Sequence, residues 1–148
     1  MGTTPVVSTL IVEDNPSFRG SLKEILAARF PQMAVDEVGS SEEALEKIEG
    51  LRPDLIFVDI RLPGQNGLEL TRRVRKDDTE VVIVILTNYD LPEFREAAYR
   101  YGVNYFFSKS MSSMEEIVTA VEVILRQKGE ARESVERSPQ DPAPGGLS

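Results

Sequence analysis

Short apolar runs alternate along the chain with stretches whose apolar residues recur every three or four positions. Ser8 to Val12 is the first such run and predicts a short strand. Beyond Glu13-Asp14-Asn15-Pro16, the side chains of Phe18, Leu22, Ile25 and Leu26 fall at helical spacing, a single stripe ending near Pro31. Asn15 or Asp14 is placed to cap that helix, with Pro16 in its first turn. Met33 to Val38 predicts a second strand. It alternates less cleanly and carries Asp36 and Glu37, which suits the edge of a sheet. Ser40 and Glu43 form a capping box for a short helix over Ala44, Leu45 and Ile48 that ends at Gly50.

Leu55-Ile56-Phe57-Val58 then runs straight into Asp59. A continuous apolar run this short reads as a strand buried on both faces. Pro63-Gly64 and Asn66-Gly67 punctuate the loop after it, and Leu68, Leu70 and Val74 mark a third helix. Val81 to Leu86 is apolar and rich in β-branched residues, a central strand that stops at Thr87. Phe94, Ala97, Ala98 and Tyr101 predict a fourth helix ended by Gly102, and Val103 to Phe107 a fifth strand with Lys109 just past it. Ser113 and Glu116 cap a last helix with Ile117, Val121, Ile124 and Leu125 on one face. From about Gly129 the pattern collapses. Residues 129–148 are charged, then rich in Pro, Gly and Ser, and read as a disordered tail or the stub of a linker.

Five strands alternating with five helices imply an α/β protein with a doubly wound parallel sheet. With strand order 2-1-3-4-5, the residues that follow strands one, three, four and five converge on one crevice at the carboxyl edge of the sheet. Those residues are Glu13, Asp14, Asp59, Thr87 and Lys109.

Composition narrows the chemistry. The 148 residues contain no cysteine and no histidine, which excludes disulfides, thiolate or imidazole metal ligands and a histidine base. A net charge of −8 argues against direct contact with nucleic acid, whose phosphates call for clusters of Lys and Arg. No secretory leader is apparent and no apolar run approaches ~18 residues, so the expected compartment is the cytoplasm. Three carboxylates packed together raise one another's pKa, and a hard divalent cation relieves that. A carboxylate oxygen of Asp59 can attack a phosphoryl group to give an acyl phosphate, with Lys109 and the Thr87 hydroxyl beside the phosphoryl oxygens.

These residues also carry a resemblance. Leu10-Ile11-Val12-Glu13-Asp14-Asn15-Pro16, Pro53 to Asp59 with Leu62-Pro63-Gly64 and Asn66-Gly67-Leu68-Glu69, Leu86-Thr87-Asn88, and Gly102 to Lys109 resemble, in order and spacing, the receiver domains of bacterial two-component response regulators. The resemblance covers residues 6–128 and implies a flavodoxin-like (βα)5 fold that takes a phosphoryl group from a histidine kinase or phosphotransfer protein. It implies Asp59 as phosphoacceptor and Glu13 and Asp14 as the acidic pair, with Asp14 the more direct ligand of magnesium, or of manganese in its place. It further implies the Arg61 carbonyl as another ligand, Thr87 and Lys109 on the phosphoryl group, and Phe106 at an aromatic switch position. A face of the fourth helix, fifth strand and fifth helix would then change its affinity for a downstream protein or a second copy. Such a domain accepts and slowly loses phosphate but is not a dedicated enzyme.

Two departures stand out. Ser110 follows the lysine where many receivers have proline, a trait that together with Asn88 resembles receivers joined to helix-turn-helix output domains. Arg61 and Tyr89, two residues beyond Asp59 and Thr87, are large where the family tunes dephosphorylation, which implies a long-lived phosphorylated state. Three other functions are weighed against this one. A constitutive binding module with a vestigial pocket sits poorly with the complete residue set. A flavin mononucleotide carrier needs a Gly- and Ser/Thr-rich first loop, where Glu13-Asp14 would repel a phosphate. A hydrolase needs a second acid or base where Arg61 stands.

Overall fold

The computed structural model describes residues 7–137. Its elements follow the expected alternation: β1 (Val7–Val12), α1 (Pro16–Arg29), β2 (Met33–Val38), α2 (Ser41–Leu51), β3 (Leu55–Val58), α3 (Gly67–Asp77), β4 (Val82–Thr87), α4 (Pro92–Arg100), β5 (Tyr105–Ser108) and α5 (Met114–Arg137). The strands form one parallel sheet in the order β2-β1-β3-β4-β5, the flavodoxin-like arrangement. All four residues of β3 are buried, as its central place requires. Leu10, Val12, Ile56, Val58, Ile83, Ile85 and Phe106 form a core with Ala44 of α2, Leu70 and Val74 of α3, and Ala98 of α4. Leu22 and Leu26 of α1 are fully buried outside that cluster.

The chain divides into two compact units after Ser113, so the sheet and first four helices form one unit and α5 belongs to the other. The helix α5 continues through Arg137, past the boundary that the loss of apolar periodicity suggested at residue 128. The rest of the expected tail, 138–148, lies outside the described residues. Among the described residues no helix is long and apolar enough to cross a membrane.

Local signals set the helix ends. Asn15 caps α1, its Oδ1 accepting from the Ser17 and Phe18 amides at 3.0 and 3.2 Å. Ser40 caps α2 by accepting from the Glu43 amide at 3.2 Å, but Glu43 reaches back to the Gly39 amide rather than to that of Ser40 itself. This helix runs through Gly50 to Leu51, and Arg52 takes the left-handed conformation with φ 51°. Pro53 follows and disfavours a right-handed helical Arg52, so the stop comes from proline and not from Gly50. Asn66 caps α3 through the Glu69 amide at 2.9 Å.

Candidate functional site

Backbone bonds carry the ladders one residue beyond the strand ends. The Glu13 amide donates to the Val38 carbonyl at 3.1 Å, Asp59 to Val12 at 3.1 Å and Lys109 to Thr87 at 2.8 Å. The polar residues that follow β1, β3 and β5 are thereby held at one rim of the sheet, in register with their neighbours. Glycine makes the rim tight at Asp59. A Cβ on Gly67 would lie 2.0 Å from the Asp59 carbonyl oxygen, while the Gly67 amide donates to Ile60 O at 2.7 Å. Only hydrogen fits where α3 starts against the third strand.

The side chains converge. Lys109 Nζ lies 2.8 Å from Glu13 Oε1 and 3.0 Å from Asp59 Oδ2. Glu13 and Asp59 are buried, at 2% and 7% exposure, whereas Asp14 faces solvent. One carboxylate oxygen from each of Glu13, Asp14 and Asp59 lies within 4.8 Å of the others. These are hard oxygen donors at a spacing that fits one divalent cation. Both Glu13 oxygens are engaged, Oε1 by Lys109 and Oε2 by the Asn15 amide at 3.0 Å, which leaves Asp14 the more available partner for Asp59. The Arg61 amide donates to Asp59 Oδ1 at 3.4 Å and so folds the start of the β3–α3 loop over the carboxylate.

Burial pushes the Glu13 carboxyl above its ordinary value; its bonds to Lys109 and Asn15 pull it down, and the Asp59 charge adds to the rise. Burial by itself would lower the Lys109 ammonium. The bonds to Glu13 and Asp59 outweigh it, and the group is held above its ordinary value, fully charged.

Thr87 and Phe106 occupy the neighbouring strands. Thr87 is fully buried, and its hydroxyl accepts from the Tyr89 amide at 3.1 Å. Among the described residues no hydrogen bond joins Thr87 directly to Asp59. Ile85 pairs with Phe106 and Thr87 with Ser108, which puts Thr87 and Phe106 on the same face of the sheet. Phe106 is 5% exposed and packed in the core, with the Arg95 guanidinium 4.6 Å from its ring centroid.

Other residues shape the site without having stood out in the chain. Ser41, 1% exposed, donates its hydroxyl to Pro63 O at 3.3 Å and accepts from the Gln65 amide at 2.7 Å, fastening the β3–α3 loop to α2. Arg19 Nη1 donates to the Glu13 carbonyl at 2.7 Å while its Nε meets Glu37 Oε1 at 3.2 Å. The Phe18 ring centroid lies 4.4 Å from Lys109 Nζ. In the sequence Phe18 counts only as one member of an apolar stripe, and Ser41 only as a residue after a cap. Neither carries a one-dimensional sign of its partner.

A parallel sheet of this order, with an acid-lysine cluster at its carboxyl edge, defines a class that comparison with known proteins makes specific. The family model for the response regulator receiver domain matches residues 9–122, and the chain belongs to that family. Among curated relatives, the DNA-binding transcriptional activator DevR/DosR of Mycobacterium tuberculosis is 32% identical over 110 residues, 74% of this chain and 51% of that protein. The nitrate/nitrite response regulator NarL of Escherichia coli is 28% identical over 111 residues, 75% of this chain and 51% of that protein. The chain thus spans about half the length of the curated relatives it matches. Among solved structures, a LuxR-family two-component response regulator from Aurantimonas sp. superposes with a TM-score of 0.74 at 30% identity, over 82% of this chain and 86% of that one. A two-component response regulator from Clostridium difficile gives 0.76 at 26% identity, over 82% and 98%.

Proposed function

We propose that this receiver domain accepts a phosphoryl group on Asp59 from the phosphohistidine of a sensor kinase or phosphotransfer protein, and that the resulting acyl phosphate switches its affinity for a downstream protein. The observation that carries this reading is the Lys109 ammonium, 3.0 Å from Asp59 Oδ2 within a group of three carboxylates. An Asp59 oxygen forms the new bond to phosphorus. The phosphorus–nitrogen bond of the donor breaks, and the imidazole nitrogen leaves with the electron pair. Asp14 and Asp59, with Glu13 beside them and the Arg61 carbonyl that the family resemblance implies, would hold a magnesium or manganese ion, which supplies positive charge to the phosphoryl oxygens when bound.

Lys109 would supply a second, permanent positive charge beside Asp59 Oδ2, and its raised pKa keeps it charged throughout the physiological range. Thr87 accepts a bond from Tyr89, so its own hydroxyl hydrogen remains to be donated to a phosphoryl oxygen. A turn of Thr87 toward Asp59 frees space on the sheet face it shares with Phe106, where the Arg95 guanidinium already rests on the ring. The coupling acts only through the difference in affinity of phosphate for the two arrangements. The cytoplasm is the compartment this reading calls for, and slow loss of phosphate is the only turnover it includes.

The test is intact mass after incubation with acetyl phosphate, with and without magnesium. Wild type gains one phosphoryl group only with the metal, and Asp59→Asn gains none. An unlabelled wild type under these conditions would favour a constitutive binding module instead. Size-exclusion chromatography of the labelled and unlabelled forms reads out self-association.

A further inference from the structure

Lys109 has three N–H bonds to direct, and two of them are accounted for by Glu13 Oε1 and Asp59 Oδ2. The third side of the ammonium meets the Phe18 ring, whose centroid is 4.4 Å from Nζ, well inside the ~6 Å over which a cation is drawn to an aromatic face. The lysine side chain is only 10% exposed. Phe18 is half-buried, while Leu22 and Leu26 take the fully buried places on α1. Phe18 is fixed at its backbone, because its amide is one of the two that the Asn15 cap accepts. Its neighbour Arg19 is tied to the Glu13 carbonyl.

We infer that Phe18 is a positioning residue: its ring stands where water would otherwise solvate the Lys109 ammonium and holds that charge toward Asp59. This inference rests on the phosphoacceptor reading of the same site. A leucine in its place would keep apolar bulk but offer no negative ring face. The ammonium would then gain a water and a wider range of rotamers, and would spend less time beside the phosphoryl oxygens.

The test uses the full chain, acetyl phosphate and magnesium, with no kinase, so that docking of a protein partner does not enter. Phe18→Leu lowers the maximal labelling rate between about twofold and thirtyfold, the span of a cation–π contact from exposed to desolvated. Phe18→Tyr, which keeps the ring face, restores the rate. Pentafluorophenylalanine at position 18, with the same shape and an inverted ring charge distribution, is as slow as leucine and guards against a poorly folded leucine variant. In proton NMR the Lys109 ε-methylene signals are displaced by the ring in wild type and Phe18→Tyr, and return to ordinary positions in Phe18→Leu. A leucine or fluorinated variant labelled at the wild-type rate overturns the inference, as does a tyrosine variant as slow as leucine. If wild type takes up no phosphate at all, the phosphoacceptor reading fails by itself. The NMR signals then decide the contact: ε-methylene positions that do not change in Phe18→Leu overturn it.

Discussion

The Arg61 guanidinium lies over the Tyr89 ring, 4.9 Å from its centroid, and so joins the two loops that flank Asp59. Tyr89 in turn meets Phe94 edge-on at 6.5 Å, and these residues line a shallow apolar cleft of about 180 Å³ with Ile60, Leu62 and Asn66. If Asp59 carries phosphate, this pair narrows the approach of hydrolytic water. Arg61→Asn and Tyr89→Ala are each expected to shorten the half-life of the acyl phosphate roughly threefold, the worth of an exposed cation–π contact. The decay of the labelled mass after removal of phosphodonor measures it. A fast decay that neither substitution changes would count against a guarding role.

Gly67 gives a prediction about stability. Gly67→Ala places a methyl group 2.0 Å from Asp59 O and 2.9 Å from Ile60 Cα, both backbone atoms that cannot swing aside. The variant should be less stable by roughly 2 kcal/mol or more, as for an overfilled core, and poorly labelled at Asp59. Urea unfolding monitored by circular dichroism reads the first effect. Wild-type stability would show that α3 can retreat without loss.

Thr9 points the other way. It lies on β1 with no exposed surface, and its hydroxyl has no hydrogen-bond partner among the described residues. Thr9→Val keeps the shape and removes the buried polar atom, so stability should rise by about 1 kcal/mol. The expected sign is a higher urea midpoint with an unchanged slope. A lower midpoint would mean that the hydroxyl finds a partner in solution.

Glu37 predicts a dependence on pH. The hydrogen bond from Lys23 at 3.1 Å, together with Arg19, holds its carboxyl below the ordinary value of 4.5, against a smaller rise from burial. A carboxyl lowered by folding contributes stability above its unfolded pKa and loses that contribution as pH falls through the folded value. Glu37→Gln should therefore cost about 0.5 kcal/mol at pH 7, typical of a partly exposed ion pair, and the difference from wild type should close below pH 4.5. Unfolding curves from pH 7 to pH 3 test it. A gap that widens in acid would contradict the assignment.

Much of this molecule could be read from the chain because its periodicities are local. Buried runs such as Leu55–Val58, and polar residues placed just after them, announce both the sheet and the rim at which Glu13, Asp59 and Lys109 meet. What could not be read depends on partners distant in sequence. Phe18 reaches Lys109 and Arg61 reaches Tyr89 only once the strands are in order. Thr87 follows the same logic as the rim residues, and its hydroxyl accepts from the Tyr89 amide two residues on. The end of α2 differs for a local reason: Gly50 is a stop signal by type, but the helix runs one residue further, to Leu51, and Arg52 before Pro53 turns left-handed. α5 runs through Arg137, where the sequence carries no apolar periodicity to announce it.

The bonds of Ser41 fasten one side of the mouth of this site. On the α2 side, the Pro63 carbonyl and the Gln65 amide are riveted to a buried hydroxyl. On the other side, the N-cap of α4, Leu91, makes no side-chain cap bond, and the Asp90–Arg95 pair at 2.7 Å joins the preceding loop to the helix. If Asp59 carries phosphate, a rearrangement that starts there meets the fastened α2 flank on one side and the α4 end of the sheet rim on the other.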